Sequence, residues 1–163
     1  MSYLIRKISR AKWRGCDEDV SSPLTADAIT NCLKTTGNTL SVWFAENDEA
    51  LMPAKVALLA SMQKMDTIDI VVLKMQDVVD KNLEVEVTSG ETDAIALRPL
   101  HRDIAKLTLD TLASFGKLVR EVIVGQEQCM RITKPQFKEI LKYGIENKLL
   151  NPSDLKEGLS KDL

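Results

Sequence analysis

His101 is the only histidine of the 163 residues, and it is the first candidate for acid–base chemistry. The unperturbed pKa of an imidazole lies close to neutrality, so His101 suits the role of a general base. Asp103 follows two residues later and is the nearest carboxylate in sequence that could orient the ring. One interpretation is therefore a small enzyme in which His101 is the base and Asp103 its partner.

The surrounding sequence gives this interpretation little support. A helical pattern is predicted from Pro99 onward, and side chains two positions apart on a helix point in different directions. The chain has no G-x-S-x-G nucleophile motif and neither of the glycine-rich phosphate-binding fingerprints. A lone histidine without a fixed partner is weak support for catalysis, so the sequence favours a non-catalytic protein.

Cysteines and acidic runs give no pattern for a bound cofactor. Cys16, Cys32 and Cys129 are widely spaced and include no C-x-x-C pair, which argues against a zinc site and a disulfide framework. The acidic run at 17–19 lacks the spacing of a calcium-binding EF-hand. We therefore expect no metal and no cofactor. Reduced thiols favour a cytoplasmic location.

A basic segment near the start of the sequence suggests a second hypothesis, contact with nucleic acid. Its candidate residues are Arg6, Arg10, Lys12, Trp13 and Arg14. The cations would meet phosphates while the indole stacks on a base. Against this, the chain has a net charge of −2 and no recognised nucleic-acid reader motif.

The main hypothesis rests on an acidic region in the middle of the chain. Residues 41–95 hold eleven acidic and four basic groups. Charge concentrated in this way speeds the encounter with a basic partner. The sequence thus favours a protein-interaction module of the immunity, antitoxin or regulatory type, and a homo-oligomer stays open. The candidate partner-binding residues are Asp77, Asp80, Glu84, Glu86, Glu91 and Asp93.

Apolar and β-branched runs predict the elements that would position these groups. Strands are expected at 3–8, 40–45, 67–73 and 83–87, and helices at 50–65 and 75–81. Thr25 and Thr108 are expected to cap two further helices. The strands at 40–45 and 67–73 with the helix between them predict a β-α-β unit with two parallel strands.

The order of these elements predicts an α/β fold, with α+β as an alternative: a small mixed sheet covered by helices. We divide the chain into an α/β domain at 1–125 and a helical C-terminal extension at 126–163 that packs on it. The longest uninterrupted apolar run, Val56–Ala60, is far shorter than the roughly 20 residues that cross a bilayer. No membrane partner is expected.

Overall fold

The computed structural model describes residues 1–90, 92 and 94–163. These residues contain a single β-sheet. Six strands of these residues form it in the order β4-β5-β2-β1-β3-β6. The strands are β1 (Tyr3–Ile8), β2 (Leu40–Ala45), β3 (Ile68–Lys74), β4 (Glu84–Val87), β5 (His101–Ala105) and β6 (Cys129–Ile132).

β1 lies between β2 and β3 and pairs antiparallel with both. β2 and β3 therefore run in the same direction, as the predicted β-α-β unit requires, but they are not neighbours. Each of the five neighbouring pairs within the described residues is antiparallel, where the sequence predicted a mixed sheet. β2 and β3 do not pair with each other because β1 lies between them and forms hydrogen bonds to both through its two edges.

Helices cover the sheet, which confirms the predicted α/β fold with helices near the end of the chain. The helices are α1 (Ala26–Cys32), α2 (Leu51–Ala60), α3 (Met75–Asp80), α4 (Leu109–Gly125), α5 (Lys134–Glu146) and α6 (Glu157–Ser160). Short 3-10 segments occupy Arg10–Trp13, Ile95–Leu100 and Pro152–Asp154.

Two of the predicted caps begin helices. The Thr25 hydroxyl accepts a hydrogen bond from the Ala28 amide at 3.3 Å at the start of α1. Thr108 and Thr111 form a reciprocal capping box at the start of α4. Each cap satisfies an amide that lacks a partner inside the helix.

Two hydrophobic layers hold the helices against the sheet. Alternate residues of each strand point to opposite faces, so Ile5 and Leu4 contribute to different layers. Core residues of α2 and α5 pack with the Ile5 layer. Core residues of α1, α3 and α4 pack with the Leu4 layer. The result is a central sheet between two layers of helices.

β5 and β6 correct the prediction that the chain is helical from Pro99 to its end. The residues of β5, His101-Arg102-Asp103-Ile104-Ala105, include a single β-branched side chain, so their local pattern is weak. β5 is nevertheless a strand because β2 and β4 pair with it on both sides. β6 is four residues long and is held by β3.

Residues 126–163 thus contribute β6 to the sheet and α5 to the Ile5 layer. The division of the chain at 125 stays a prediction. In the part of the chain that the structure describes, no helix has both the length and the apolar character required to cross a bilayer.

Candidate interaction sites

His101 lies in β5, where its side chain is packed inside the protein with 7% of its surface exposed. Its Nδ1 is 2.8 Å from the hydroxyl oxygen of Thr88. The ring meets the Trp43 indole edge to face, with centroids 5.1 Å apart. Gly90 packs closely against the side chain, and a Cβ there would lie 2.9 Å from the Cβ of His101. These contacts fix the ring in place.

Asp103 shares a face of the sheet with His101, because residues two positions apart on a strand point to the same side. The sequence pattern predicts a helix for these two residues, and the structure places both on β5. Burial lowers the pKa of His101, although the nearby Asp103 carboxylate raises it. A cleft of about 480 Å³ and three smaller cavities in the described part of the chain are lined by residues other than His101. This environment favours a structural role for the histidine.

Glu84 and Glu86 are exposed on β4, the strand at one edge of the described sheet. The antiparallel register sets Glu86 directly opposite Asp103. The three carboxylates therefore lie on one side of two neighbouring strands. Lys106 is the cationic neighbour of the two glutamates, with its Nζ 2.5 Å from Glu84 and 3.8 Å from Glu86. We call these four residues the acidic edge.

The other predicted partner-binding residues do not belong to the acidic edge. Asp77 lines a cavity of about 340 Å³ between α3 and α4, together with Lys74 and Glu121. Asp80 is exposed at the end of α3 and accepts a hydrogen bond from Gln76 at 2.8 Å. Glu91 and Asp93 lie outside the described residues. Of the predicted set, the structure brings Glu84 and Glu86 together.

Two of the predicted nucleic-acid residues, Arg6 and Lys12, line one cleft of about 480 Å³. Arg10 and Arg14 are exposed and are not part of its lining. Trp13 has no exposed surface, so its indole is not presented to a base. This corrects the stacking role that the sequence suggested. The indole is buried because its large apolar area stabilises the protein more in the core than in contact with solvent.

Several residues of these sites were missed by sequence reasoning. Asp103 joins the acidic edge through the pairing of β4 with β5, which the helical interpretation of 99–105 concealed. Lys7 belongs to the same basic run and also lines the cleft. Ser41 and Ser61 reach the cleft from distant parts of the chain, and no local signal marks them.

Comparison with known proteins adds nothing to this geometry: no family model, no curated protein and no solved structure matches the chain.

Proposed function

We propose that this chain is a non-catalytic protein-interaction module that binds a basic protein partner at the acidic edge. The observation that carries the proposal is the position of Glu86 directly opposite Asp103, with Glu84 on the same side of β4. This set includes two of the carboxylates expected from the sequence and adds one that only the fold brings into place.

The electrostatics of the acidic edge favour a cationic ligand. Like charges directly opposite each other on a sheet destabilise it. Lys106 pairs with Glu84 and Glu86 and offsets part of the repulsion, and negative charge remains because the acidic edge holds three carboxylates and one ammonium group. A Lys or Arg of a partner that meets Glu86 and Asp103 would relieve this repulsion. Complementary charge of this kind speeds association and improves specificity.

The backbone of β4 supplies a second type of contact. No strand of the described residues pairs with the outer side of β4, so alternate N–H and C=O groups face outward there. Val87 on this strand is 75% exposed. An extended segment of a partner can add to such an edge through main-chain hydrogen bonds. A segment that alternates basic with other residues would place its cations beside the glutamates.

The immunity, antitoxin and regulatory classes are compatible with this mode, because each acts by covering a target rather than by turning over a substrate. Neutralising a basic nuclease or toxin requires an acidic surface of the kind described. We place the protein in the cytoplasm within this proposal, since Cys16, Cys32 and Cys129 are free thiols.

The test uses purified proteins encoded by genes that neighbour this one, each mixed with the wild-type chain. We expect one basic protein to bind, with an affinity that falls as salt screens the charges. The double variant Glu84→Gln/Glu86→Gln keeps side-chain size and removes both charges. It should weaken binding by roughly tenfold or more, about 1.4 kcal/mol.

Glu46→Gln/Glu49→Gln is the matched control, because both residues are exposed acids outside the acidic edge, between β2 and α2. This control should bind like the wild type. The proposal fails if none of the neighbouring gene products binds at low salt. It also fails if a partner binds equally well to the wild type and to Glu84→Gln/Glu86→Gln.

A further inference from the structure

A basic cleft lies on the described chain where β1 ends and β2 begins, between the last residues of α1 and the last residues of α2. Arg6, Lys7 and Lys12 contribute cationic side chains to it, and Ser9 contributes a hydroxyl. Among the described residues, no Asp or Glu lines the cleft. Arg6 and Lys7 are consecutive on β1 and so approach the cleft from opposite faces of the sheet, in a chain whose net charge is −2.

Arg6 is held rigidly at this cleft by backbone carbonyls. Its Nε and Nη2 donate to the carbonyl oxygen of Cys32 at 3.2 and 2.8 Å, and its Nη1 donates to that of Ser41 at 2.5 Å. The remaining N–H groups of the guanidinium stay available. No described carboxylate lies within 4 Å of Arg6. Its partners are neutral, so its charge is not balanced by a direct ion pair.

Burial lowers the pKa of Arg6 to about 10, while the groups of Cys32 and Asp103 raise it. The guanidinium is therefore still protonated at neutral pH. A partly buried cation without a direct counterion is costly unless an opposite charge joins it. An anion in the cleft would supply that charge.

The neighbouring groups leave an excess of positive charge. Lys12 is paired with Asp27, at 3.4 Å. The carbonyl end of α1 at Cys32 carries about half a negative charge, which offsets part of the charge of Arg6. At the end of α2, the carbonyl oxygen of Ser61 already accepts a hydrogen bond from Lys156 Nζ at 3.1 Å. Neither Arg6 nor Lys7 forms an ion pair within 4 Å among the described residues.

We propose that the basic cleft binds the phosphate group of a small organic phosphate. A guanidinium with fixed geometry and free N–H groups matches the oxygens of a phosphate, and lysines add charge at longer range. The volume of about 480 Å³ falls in the range of small-molecule sites. Ser9 has no described side-chain hydrogen bond, so its hydroxyl is free to donate to a phosphate oxygen.

A nucleic-acid strand fits the same cleft less well. Strand-binding proteins combine a basic groove with exposed aromatic rings on which bases stack. Trp13 is fully buried, and Trp43, which lines the cleft, is 4% exposed. The overall charge of −2 also opposes a polyanion that extends beyond the cleft.

The experiment titrates the full chain with inorganic phosphate and with phenyl phosphate, at constant ionic strength set with chloride. Backbone amide resonances are followed by NMR. We expect saturable shifts centred on Arg6, Ser9 and Ser41, with the tighter binding for phenyl phosphate, whose ring can contact the apolar side of the cleft near Leu58.

Lys7→Gln/Lys12→Gln removes two of the cations and leaves the carbonyl contacts of Arg6 in place. It should weaken phosphate binding by roughly tenfold. Lys117→Gln/Lys161→Gln is the matched control, because both lysines are exposed and lie outside the cleft. Arg6→Lys is an additional variant, which keeps the positive charge and loses the planar guanidinium group with its several N–H donors. It should also bind more weakly.

Three results would overturn the proposal: the absence of saturable shifts at the cleft, equal affinity in wild type and Lys7→Gln/Lys12→Gln, and preferential binding of a single-stranded oligonucleotide. In the last case the affinity would fall steeply with salt. The cleft and the acidic edge carry opposite charge, and their tests use different variants. Failure of one proposal therefore leaves the other standing.

Discussion

Glu86 of β4 lies directly opposite Asp103 of β5, so two carboxylates form one cross-strand pair at the edge of the sheet. Like charges at directly opposed positions repel each other, and Lys106 lies 3.8 Å from Glu86 and offsets part of this repulsion. Ser41, which pairs with Asp103 on the other side, donates its hydroxyl to that carboxylate at 3.2 Å. This hydrogen bond holds the Asp103 carboxylate in place beside Glu86.

Replacing Glu86 by Gln should make the protein more stable while it weakens partner binding. Loss of the repulsion with Asp103 is expected to raise the free energy of unfolding by roughly 0.2–1 kcal/mol. Lys106 keeps its closer contact with Glu84 in this variant. Urea denaturation at low salt measures the effect, which should shrink at high salt. A lower stability of Glu86→Gln would mean that the Lys106 contact outweighs the repulsion.

His101 should make stability depend on pH. Burial lowers its pKa in the folded protein, so the unfolded chain binds the extra proton more readily. The contribution of His101 is therefore fully present above the unfolded pKa of about 6.5 and is lost as the pH falls through the folded pKa.

Denaturant midpoints at about pH 7.5 and about pH 5.5 test this dependence against His101→Gln. The glutamine keeps a polar group that can meet Thr88, which contacts Nδ1 in the wild type. The wild type should lose stability on acidification, and His101→Gln should lose less. An equal loss in both proteins would assign the effect to other groups.

Close packing of α5 on α2 depends on Gly144. An added Cβ would lie 2.6 Å from Cγ1 of Val56, a buried and stiff side chain. Overpacking costs about 1–3 kcal/mol and better helix propensity returns about 1 kcal/mol, so Gly144→Ala should lower the unfolding free energy by roughly 1 kcal/mol.

A double-mutant cycle with Val56→Ala separates this clash from other causes. The methyl group that Gly144→Ala adds would occupy space that Val56→Ala vacates, so the double variant should lose less stability than the sum of the single ones. Gly125→Ala is the control, since its added Cβ meets nothing within 4 Å. Additive single effects would contradict close contact of the two sites.

Trp13 should behave as a buried fluorophore that ligands do not reach. In a Trp43→Phe variant the remaining indole reports on Trp13, which has no exposed surface and no partner for its Nε1 in the described structure. We expect a blue-shifted emission that acrylamide quenches weakly and that a single-stranded oligonucleotide leaves unchanged. Strong quenching by the oligonucleotide would restore the base-stacking hypothesis.

The four strands with clear apolar patterns were predictable within one residue of their ends: β1, β2, β3 and β4. Their neighbours in the sheet were not, because pairing between distant segments leaves no mark in local periodicity. β5 shows the limit most clearly. Its polar composition hides a strand that β2 and β4 stabilise from both sides.

The candidate sites divide in the same way. Local charge identified Glu84, Glu86, Arg6 and Lys12, all of which lie in the sites described. Asp103 needed the β4–β5 register, which local sequence did not reveal. The basic run also suggests base stacking by Trp13, because cations surround it in sequence. The indole is instead buried, as large rings strongly tend to be.

The central place of β1 has a consequence for how the molecule opens. In the described sheet, the strands on the β2 side and those on the β3 side are joined through the hydrogen bonds of β1. Neither half can detach while β1 keeps both neighbours. Amide protons of Ile5 should therefore exchange with solvent only when the whole protein unfolds, whereas those of β4 and β6 exchange through local fraying.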